Sequence, residues 1–320
     1  MTVFGAFLSA EEHRPLDLVA QAVRAEQAGF EALWISDHYH PWNSAQGQAP
    51  FVWSVLGAIA ARTSTVRCTT AVTAPIVRLH PAVLAQAVAT TAAMFQGRFA
   101  LGVGTGEALN EHILGDPWPT LDVRLEMLEE AVEVMGALWS GELVRHRGRH
   151  YTVDTARLYT LPDSPPPVLI SGFGPKATEL AARIGDGYVN VDPSAELVSL
   201  YRSSGGTGPT QGGVKVCWAE DEAAARRTVH ALWAVQGIPG EAMQVLPSPV
   251  HFEQVSQLVT EAMAVEAVGA VGNRVEDFVD AVRPYVEAGF DEVYLSQIGP
   301  EQDGWFDFWE RELRPALTDL

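Results

Sequence analysis

The chain has 320 residues and is 47% hydrophobic, which excludes a disordered protein and allows either two average domains or one large (β/α)8 barrel. Its formal net charge of -19 at pH 7 argues against a nucleic-acid partner, because an acidic surface repels phosphate backbones. The sequence shows neither a signal peptide nor an apolar run of about 18 residues, so we expect a cytoplasmic protein with no membrane segment.

Short β-branched runs alternate along the chain with longer amphipathic stretches. The predicted strands are 3–7, 32–35, 66–72, 99–103, 168–170, 187–190, 214–218 and 292–295. The predicted helices include 16–28, 81–95, 121–139, 175–184 and 275–288. Because strands that alternate with helices form βα units, this pattern predicts a parallel sheet.

A local repeat favours a closed barrel over an open sheet. AEQAGFEALWIS (25–36) is similar to VEAGFDEVYLS (286–296), and ARIGDGYVN (182–190) is a looser copy. Each copy has the pattern of a helix end, a glycine cap and a buried strand. We therefore expect a single domain over 1–320, a (β/α)8 TIM barrel, with a doubly wound sheet plus a second domain as the alternative.

Two segments interrupt the repeating pattern, and the C-terminus has a distinct composition. Residues 143–167 contain a predicted hairpin, RHRGRHYTV, and residues 236–272 form a second insertion; both are expected between a strand and a helix, where they could cover the barrel mouth. The C-terminal WFDFWERELRPAL predicts a helix that packs its aromatic side chains into a groove or a subunit contact. The two cysteines, Cys68 and Cys217, have no zinc-ligand spacing, so no metal is expected.

The loops after the strands carry the functional signals, since barrel active sites lie at the strand carboxyl ends. SDHYHPW (36–42) places Asp37 beside His38, a pair suited to proton transfer, although a polar loop is the alternative interpretation. GVGTGEALNEH (102–112) allows close approach of a ligand to backbone, and its Glu107 is either an acid or base or simply an acidic helix start.

A third loop, SGFGPKATE (171–179), predicts an anion site. Pro175 suits the first position of a helix, and Lys176 then lies in the first turn. A cation there is unfavourable for the helix dipole unless an anion binds at the same end. A solvent-facing lysine remains the alternative.

Together these loops resemble the luciferase-like flavin and deazaflavin oxidoreductases, and most closely the F420-dependent glucose-6-phosphate dehydrogenase group. The matching stretches are SAEE (9–12), SDHYHPW, QAPFVWSVLGAIAARTSTV (48–66), HPAVLAQAVAT (80–90), LGVGTGEALNE (101–111) and GPKATELAARIGDGY (174–188). The resemblance implies a luciferase-like barrel, a homodimer, a small-molecule substrate and coenzyme F420 at the strand carboxyl ends.

The same resemblance assigns roles to individual residues. It implies that His38 and Glu107 form the acid-base pair and that Glu11 and Trp42 contact the substrate. It implies cofactor contacts from Asp37, Ala71, Val72, Ala74, Thr105, Gly106, Asn110, Gly172, Phe173, Gly174, Lys176 and Ala177. It also implies a non-prolyl cis peptide bond at the Ala71–Val72 step.

Two departures bear on the substrate. The sugar-phosphate clamp of that group uses basic residues after the sixth strand and in the late insertion, whereas here VNVDPSAEL (189–197) and residues 236–272 contain no Lys or Arg. Such a pocket would bind a phosphomonoester poorly. We therefore expect an alcohol or carbonyl substrate other than glucose 6-phosphate. The alternatives are an FMN-dependent luciferase-like monooxygenase and a non-enzymatic ligand-binding barrel.

Overall fold

The computed structural model describes residues 2–318 and 320. In chain order the strands are β1 (Val3–Leu8), β2 (Ala32–Ile35), β3 (Arg67–Thr70), β4 (Phe99–Val103), β5 (Val144–Arg147), β6 (Thr152–Ala156), β7 (Val168–Ser171), β8 (Gly187–Asn190), β9 (Thr210–Trp218), β10 (Ala270–Gly272) and β11 (Glu292–Gln297). The helices are α1 (Pro15–Gln27), α2 (Val52–Arg62), α3 (Pro81–Phe95), α4 (Ala108–Glu111), α5 (Leu121–Trp139), α6 (Pro175–Ile184), α7 (Ala195–Ser203), α8 (Glu222–Trp233), α9 (Ala242–Val245), α10 (Pro249–Ser256), α11 (Glu261–Glu266), α12 (Val275–Glu287), α13 (Gln302–Phe308) and α14 (Arg314–Ala316).

Eight parallel strands close into a ring in the order β1-β2-β3-β4-β7-β8-β9-β11, with β11 paired to β1. All eight correspond to strands predicted from the sequence, and the (β/α)8 TIM barrel is confirmed. The short β10 adds to the outer half of β9, and β5 pairs with β6 as the predicted hairpin.

The barrel interior is filled by aromatic rings that glycines accommodate. Trp34 of β2 stacks on Tyr294 of β11 with ring centroids 4.4 Å apart. A Cβ at Gly5 or Gly213 would lie 2.4 Å from one of these rings, so only glycine fits on the facing strands. Below the rings, Glu292 accepts hydrogen bonds from Arg67 at 2.7 Å, where the strands begin. The lower half of the barrel is therefore packed, and ligands must enter at the carboxyl ends of the strands.

The surrounding helices follow from apolar spacing and from proline at their starts. In α12 the buried residues Phe278, Val282 and Tyr285 recur every three or four positions and face the strands. Helices α3 and α6 both begin at proline, whose missing amide donor costs nothing at the first helical position. The α2, α7 and α8 helices were not among those named from the sequence.

One insertion covers the mouth, and the other has a different place from the expected one. Residues 236–272, which carry α9 to α11, pack Phe252 edge-on against Trp42, with ring centroids 5.2 Å apart. Residues 143–167 join α5 to β7 and so lie between a helix and a strand, which corrects the expectation of a strand-to-helix insertion. The C-terminal aromatic residues, including Trp305 and Trp309, are buried within the chain. None of the helices in the described residues is long and apolar enough to cross a membrane.

Candidate active site

The loop after β2 carries the predicted proton-transfer group at the barrel mouth. His38 is the third residue after the end of β2. Its Nδ1 atom lies 3.1 Å from Oε1 of Glu11, which belongs to the loop after β1. The approach is close, but it lacks the angle of a hydrogen bond. The Trp42 ring lies edge-on to the imidazole, with ring centroids 5.2 Å apart. The predicted residues His38, Trp42 and Glu11 are therefore brought together.

Glu11 is a buried carboxylate that its surroundings keep ionised. Its Oε2 accepts hydrogen bonds from the Ser9 hydroxyl at 2.9 Å and the Ser36 hydroxyl at 2.8 Å. Burial acts to raise the pKa of Glu11, but the charge of His38 and hydrogen bonds from its own amide, Ser36 and Ser9 together lower it. A charged carboxylate in contact with an imidazole orients the ring and stabilises its protonated form.

Asp37 turns away from His38 and enters a separate ionic network. Its Oδ1 lies 3.0 Å from Arg78 Nη2, and its Oδ2 accepts a hydrogen bond from the Thr73 hydroxyl at 2.8 Å. Arg78 also contacts Glu111, with 3.5 Å between Nε and Oε1. All three charged side chains are buried. The side chain of Asp37, which was predicted to contact a cofactor, is thus held in place by residues of the loop that follows β3.

The glycine loop after β4 packs against the loops after β2 and β3. Gly106 has a positive φ of 65°, and a Cβ there would lie 2.9 Å from Ala74 Cβ. Asn110 accepts hydrogen bonds from the amides of Tyr39 and His40 at 2.9 and 3.0 Å, and its Nδ2 donates to Glu107 Oε2 at 3.4 Å. Asn110 was predicted to contact the cofactor, and in the structure it also holds the His38 loop.

The remaining predicted cofactor positions lie along the rim. The Ala71–Val72 peptide bond is cis, as the resemblance implies. Gly172 is buried, and a Cβ there would lie 2.9 Å from the carbonyl carbon of Ala177, so this turn requires glycine. Gly174, at the start of α6, faces open space. Thr105, Gly174 and Ala177 are half-buried, and Phe173 is exposed.

Lys176 has a protein partner that the sequence did not indicate. Its Nζ lies 2.6 Å from Asp122 Oδ1 of α5, and both side chains are exposed. This ion pair provides a counter-charge for a lysine in the first helical turn, so a bound anion is no longer required to explain it. Among the described residues, no cluster of three or more His, Cys, Asp or Glu side chains could hold a metal ion.

Sequence reasoning missed several charged residues near these loops. Arg78 could have been noticed, because it is the only charged residue between Cys68 and Gly97. Burial raises the pKa of Glu111 to about 7, although the hydrogen bond from the Arg78 amide and the charge of Arg78 both act to lower it. Arg124, on the buried face of α5, packs its guanidinium 4.5 Å from the Trp118 ring centroid. Burial lowers the pKa of Arg124, while the charges of Glu107 and a second glutamate oppose the change.

Comparisons with known proteins agree with this geometry. Residues 1–292 match the family described as luciferase-like monooxygenase. The chain is 34% identical to an F420-dependent glucose-6-phosphate dehydrogenase of Nakamurella multipartita, with 99% of this chain and 97% of that protein covered. The corresponding protein of Beutenbergia cavernae is also 34% identical, with 99% and 98% covered.

The solved structures extend the comparison to the fold. An F420-dependent secondary alcohol dehydrogenase in complex with an F420-acetone adduct superimposes with a TM-score of 0.90 at 32% identity, with 99% of each chain covered. A coenzyme F420-dependent tetrahydromethanopterin reductase from Methanopyrus kandleri has a TM-score of 0.77 at 21% identity, with 99% of each chain covered. The second of these shows similarity of fold alone.

Proposed function

The chain belongs to the luciferase-like monooxygenase family, and on that premise we propose that it is an F420-dependent oxidoreductase that transfers a hydride between C5 of the deazaflavin and an alcohol or carbonyl substrate. The observation that carries the proposal is the imidazole of His38, held between the Glu11 carboxylate and the Trp42 ring at the mouth of a parallel barrel. Both the relatives and the superimposed alcohol dehydrogenase are named as F420-dependent enzymes.

The residues present fit the deazaflavin. The turn at Gly172 leaves no room for a side chain, and Gly174 opens the start of α6 toward the rim. Gly106 brings the β4 loop against Ala74, beside the cis peptide bond. The two charged positions assigned to the cofactor, Asp37 and Lys176, are ion-paired with Arg78 and Asp122. When bound, the cofactor supplies a carbon that gives or accepts a hydride.

The chain's own residues supply proton transfer and positioning. In alcohol oxidation, the Nε2 atom of His38 takes the hydroxyl proton as the carbon loses its hydride, and in carbonyl reduction it returns a proton to the oxygen. Glu11 stabilises the protonated imidazole across the 3.1 Å contact. Trp42 and Phe252 exclude water on the substrate side. We assign Glu107 the second acid-base position, where it would relay a proton to the ring nitrogen of a bound deazaflavin.

The substrate is proposed to be a neutral alcohol, aldehyde or ketone and not glucose 6-phosphate. The stretch after β8 contains Asp192, whose pKa is raised by burial, and no Lys or Arg before Arg202. The insertion 236–272 has no Lys or Arg. The neighbouring Arg226 is already paired with Glu261 at 3.1 Å. A phosphate in this region would therefore lack the cationic hydrogen-bond donors that it needs.

We propose a homodimer, because one face of α3 is free of charge. The exposed positions Val83, Gln86, Thr90 and Met94 form a stripe with no charged side chain in a chain that is 19% charged. Val83→Glu should shift the protein from dimer to monomer in sedimentation velocity, whereas Leu16→Glu on an exposed site of α1 should not. A monomeric wild-type protein would contradict the proposal.

We also infer a single cytoplasmic domain. Pairing of β1 with β11 joins the two ends of the chain in one barrel. Cys68 and Cys217 are buried free thiols, as expected in a reducing compartment.

Titration of the cofactor-free protein tests the proposed function directly. The deazaflavin should bind with micromolar or better affinity, and FMN should bind much more weakly. Tight FMN binding with oxygen consumption would instead support the family's monooxygenase description, which is the second candidate. If neither the deazaflavin nor FMN binds, the protein is a ligand-binding barrel without flavin or deazaflavin chemistry.

A further inference from the structure

Lys215 is a half-buried lysine that the proposed mechanism does not use. It is one of only two lysines in the chain. Gly213, two positions earlier on β9, faces the Trp34 ring inside the barrel, so Lys215 points to the same side. Its Nζ lies 4.3 Å from the ring centroid of Trp233 and 5.7 Å from that of Phe7. These contacts place the ammonium in the upper layer of the barrel interior.

Among residues 2–318 and 320, no carboxylate oxygen lies within 4.0 Å of the Lys215 ammonium, and the charges of Glu11 and Glu12 act on it from farther away. In contrast, the exposed Lys176 is paired at 2.6 Å. Lys215 is half-buried, as expected for a group that lines a deep cleft.

A second unpartnered polar group lies next to Lys215. Ser296 is its register partner on β11, and the Ser296 hydroxyl is buried without a hydrogen-bond partner in the described part of the chain. Buried polar groups are nearly always hydrogen-bonded, to protein, to water or to a ligand. A buried hydroxyl without a partner, beside an accessible ammonium without an ion pair, indicates that a polar ligand atom binds at this level of the mouth.

The charges around Lys215 limit what that atom can be. An ammonium is a donor only, so its partner must be an acceptor oxygen. The charges of Glu11 and Glu12 both act on Lys215, and burial nevertheless lowers the pKa of Lys215. Arg78, in the loop after β3, is already committed to Asp37 and Glu111. The surroundings are therefore acidic overall, which favours an uncharged oxygen over a carboxylate or phosphate.

We propose that Lys215 is a specificity-determining residue whose ammonium donates a hydrogen bond to a second, uncharged oxygen of the substrate, beyond the carbon that exchanges the hydride. This inference rests on the proposed function and deepens it. It identifies the substrate class as neutral compounds with at least two oxygens, such as diols, hydroxyketones or sugars without phosphate. Trp233 and Phe7 hold the ammonium in place from two sides.

Matched alcohols test the assignment in the F420-loaded enzyme. The alcohols 2-propanol and 1,2-propanediol differ by one hydroxyl group, and lactate replaces that group by a carboxylate. Lys215→Met should lower kcat/KM for 1,2-propanediol by about 10- to 100-fold, the effect of losing a hydrogen bond to a charged group. The value for 2-propanol should change less than about threefold on the same scale, and Arg145→Met, in the exposed hairpin, should leave both values unchanged.

A labelling experiment provides a second readout on the cofactor-free wild-type protein. Reductive methylation with formaldehyde and a borane reagent should modify Lys215 more slowly when 1,2-propanediol is present, whereas 2-propanol should have no effect. Lys176 serves as the internal reference in the same digest, quantified by mass spectrometry. This measurement needs no variant to fold and no turnover.

The outcomes separate the two levels of inference. Equal losses for both alcohols in Lys215→Met, or no loss for the diol, would overturn the role of Lys215, as would unchanged labelling. If the wild type prefers lactate and Lys215→Met abolishes that preference, the proposal that Lys215 binds an uncharged oxygen is wrong. If the wild type oxidises no alcohol with the deazaflavin, the proposed function fails, while diol protection of Lys215 would still support the contact.

Discussion

Glu12 offers a quantitative test of the electrostatics at the mouth, through the pH dependence of stability. Its carboxylate accepts hydrogen bonds of 2.7 Å from Trp233 Nε1 and from the Gly299 amide. Burial nevertheless raises its pKa from 4.5 to about 7, helped by the charge of Glu11. The folded protein therefore binds a proton at Glu12 that the unfolded chain has released between these two pH values. In that window the Glu12 contribution to the free energy of unfolding falls as pH rises.

The size of the effect follows from the two pKa values. One pKa unit corresponds to about 1.4 kcal/mol, so full ionisation of Glu12 above pH 7 costs about 3 kcal/mol relative to its protonated form. Between pH 5 and 8 the difference in unfolding free energy between Glu12→Gln and wild type should rise by about 2 to 3 kcal/mol in favour of the variant. Only the change with pH matters, because Gln also alters the two hydrogen bonds by a constant amount.

Urea denaturation of the cofactor-free protein at several pH values measures this difference. Glu133→Gln, at an exposed position of α5, is the matched control and should follow the wild-type pH dependence. Parallel curves for wild type and Glu12→Gln would refute the reasoning, since they would mean that Glu12 is solvated or ionised throughout.

The remaining predictions concern the site itself. His38→Ala and Glu107→Gln should each lower kcat by about 10²- to 10⁴-fold, with a nearly unchanged deazaflavin dissociation constant. Near wild-type turnover in stopped-flow assays would contradict the proposed mechanism. Asp37→Asn should mainly weaken cofactor binding, measured by the same titration. Arg78→Met should lower the free energy of unfolding by about 3 to 5 kcal/mol, because it leaves the Asp37 and Glu111 carboxylates buried without a counter-charge. Glucose 6-phosphate should be turned over poorly or not at all compared with a neutral alcohol, and efficient turnover would reveal a phosphate clamp elsewhere.

The strands were predictable because each is a short apolar run followed by a polar loop. The alternation of buried and polar segments along β2, β4 and β8 is visible in the sequence and requires no long-range information. The mouth loops were predictable for a related reason, since parallel strands bring their carboxyl ends to one side. The helices α2, α7 and α8 were not named from the sequence, although α7 and α8 follow Ser194 and Asp221, whose side chains cap the first turn.

Charge pairing could not be predicted in the same way. Arg78 is 41 positions from Asp37 and 33 from Glu111, and nothing in the sequence couples them before the barrel closes. Lys176 shows the opposite case, because the local dipole argument suggested an anion where the fold places Asp122 of α5. The sequence predicts a strand over 214–218 and gives Lys215 no role of its own. A lysine on the inward side of a barrel strand nevertheless indicates an unusual environment.

The adjacent residues Asp37 and His38 show why the site divides its charges between loops. Asp37 is held by Arg78 from the loop after β3, and His38 is contacted by Glu11 from the loop after β1. A proton that reaches His38 therefore changes the charge facing Glu11 and leaves the counter-ion of Asp37 in place. The proposed cofactor contact and the proposed proton-transfer group can thus be adjacent in sequence and still respond separately to substitution. This separation is why His38→Ala and Asp37→Asn should affect turnover and cofactor affinity differently.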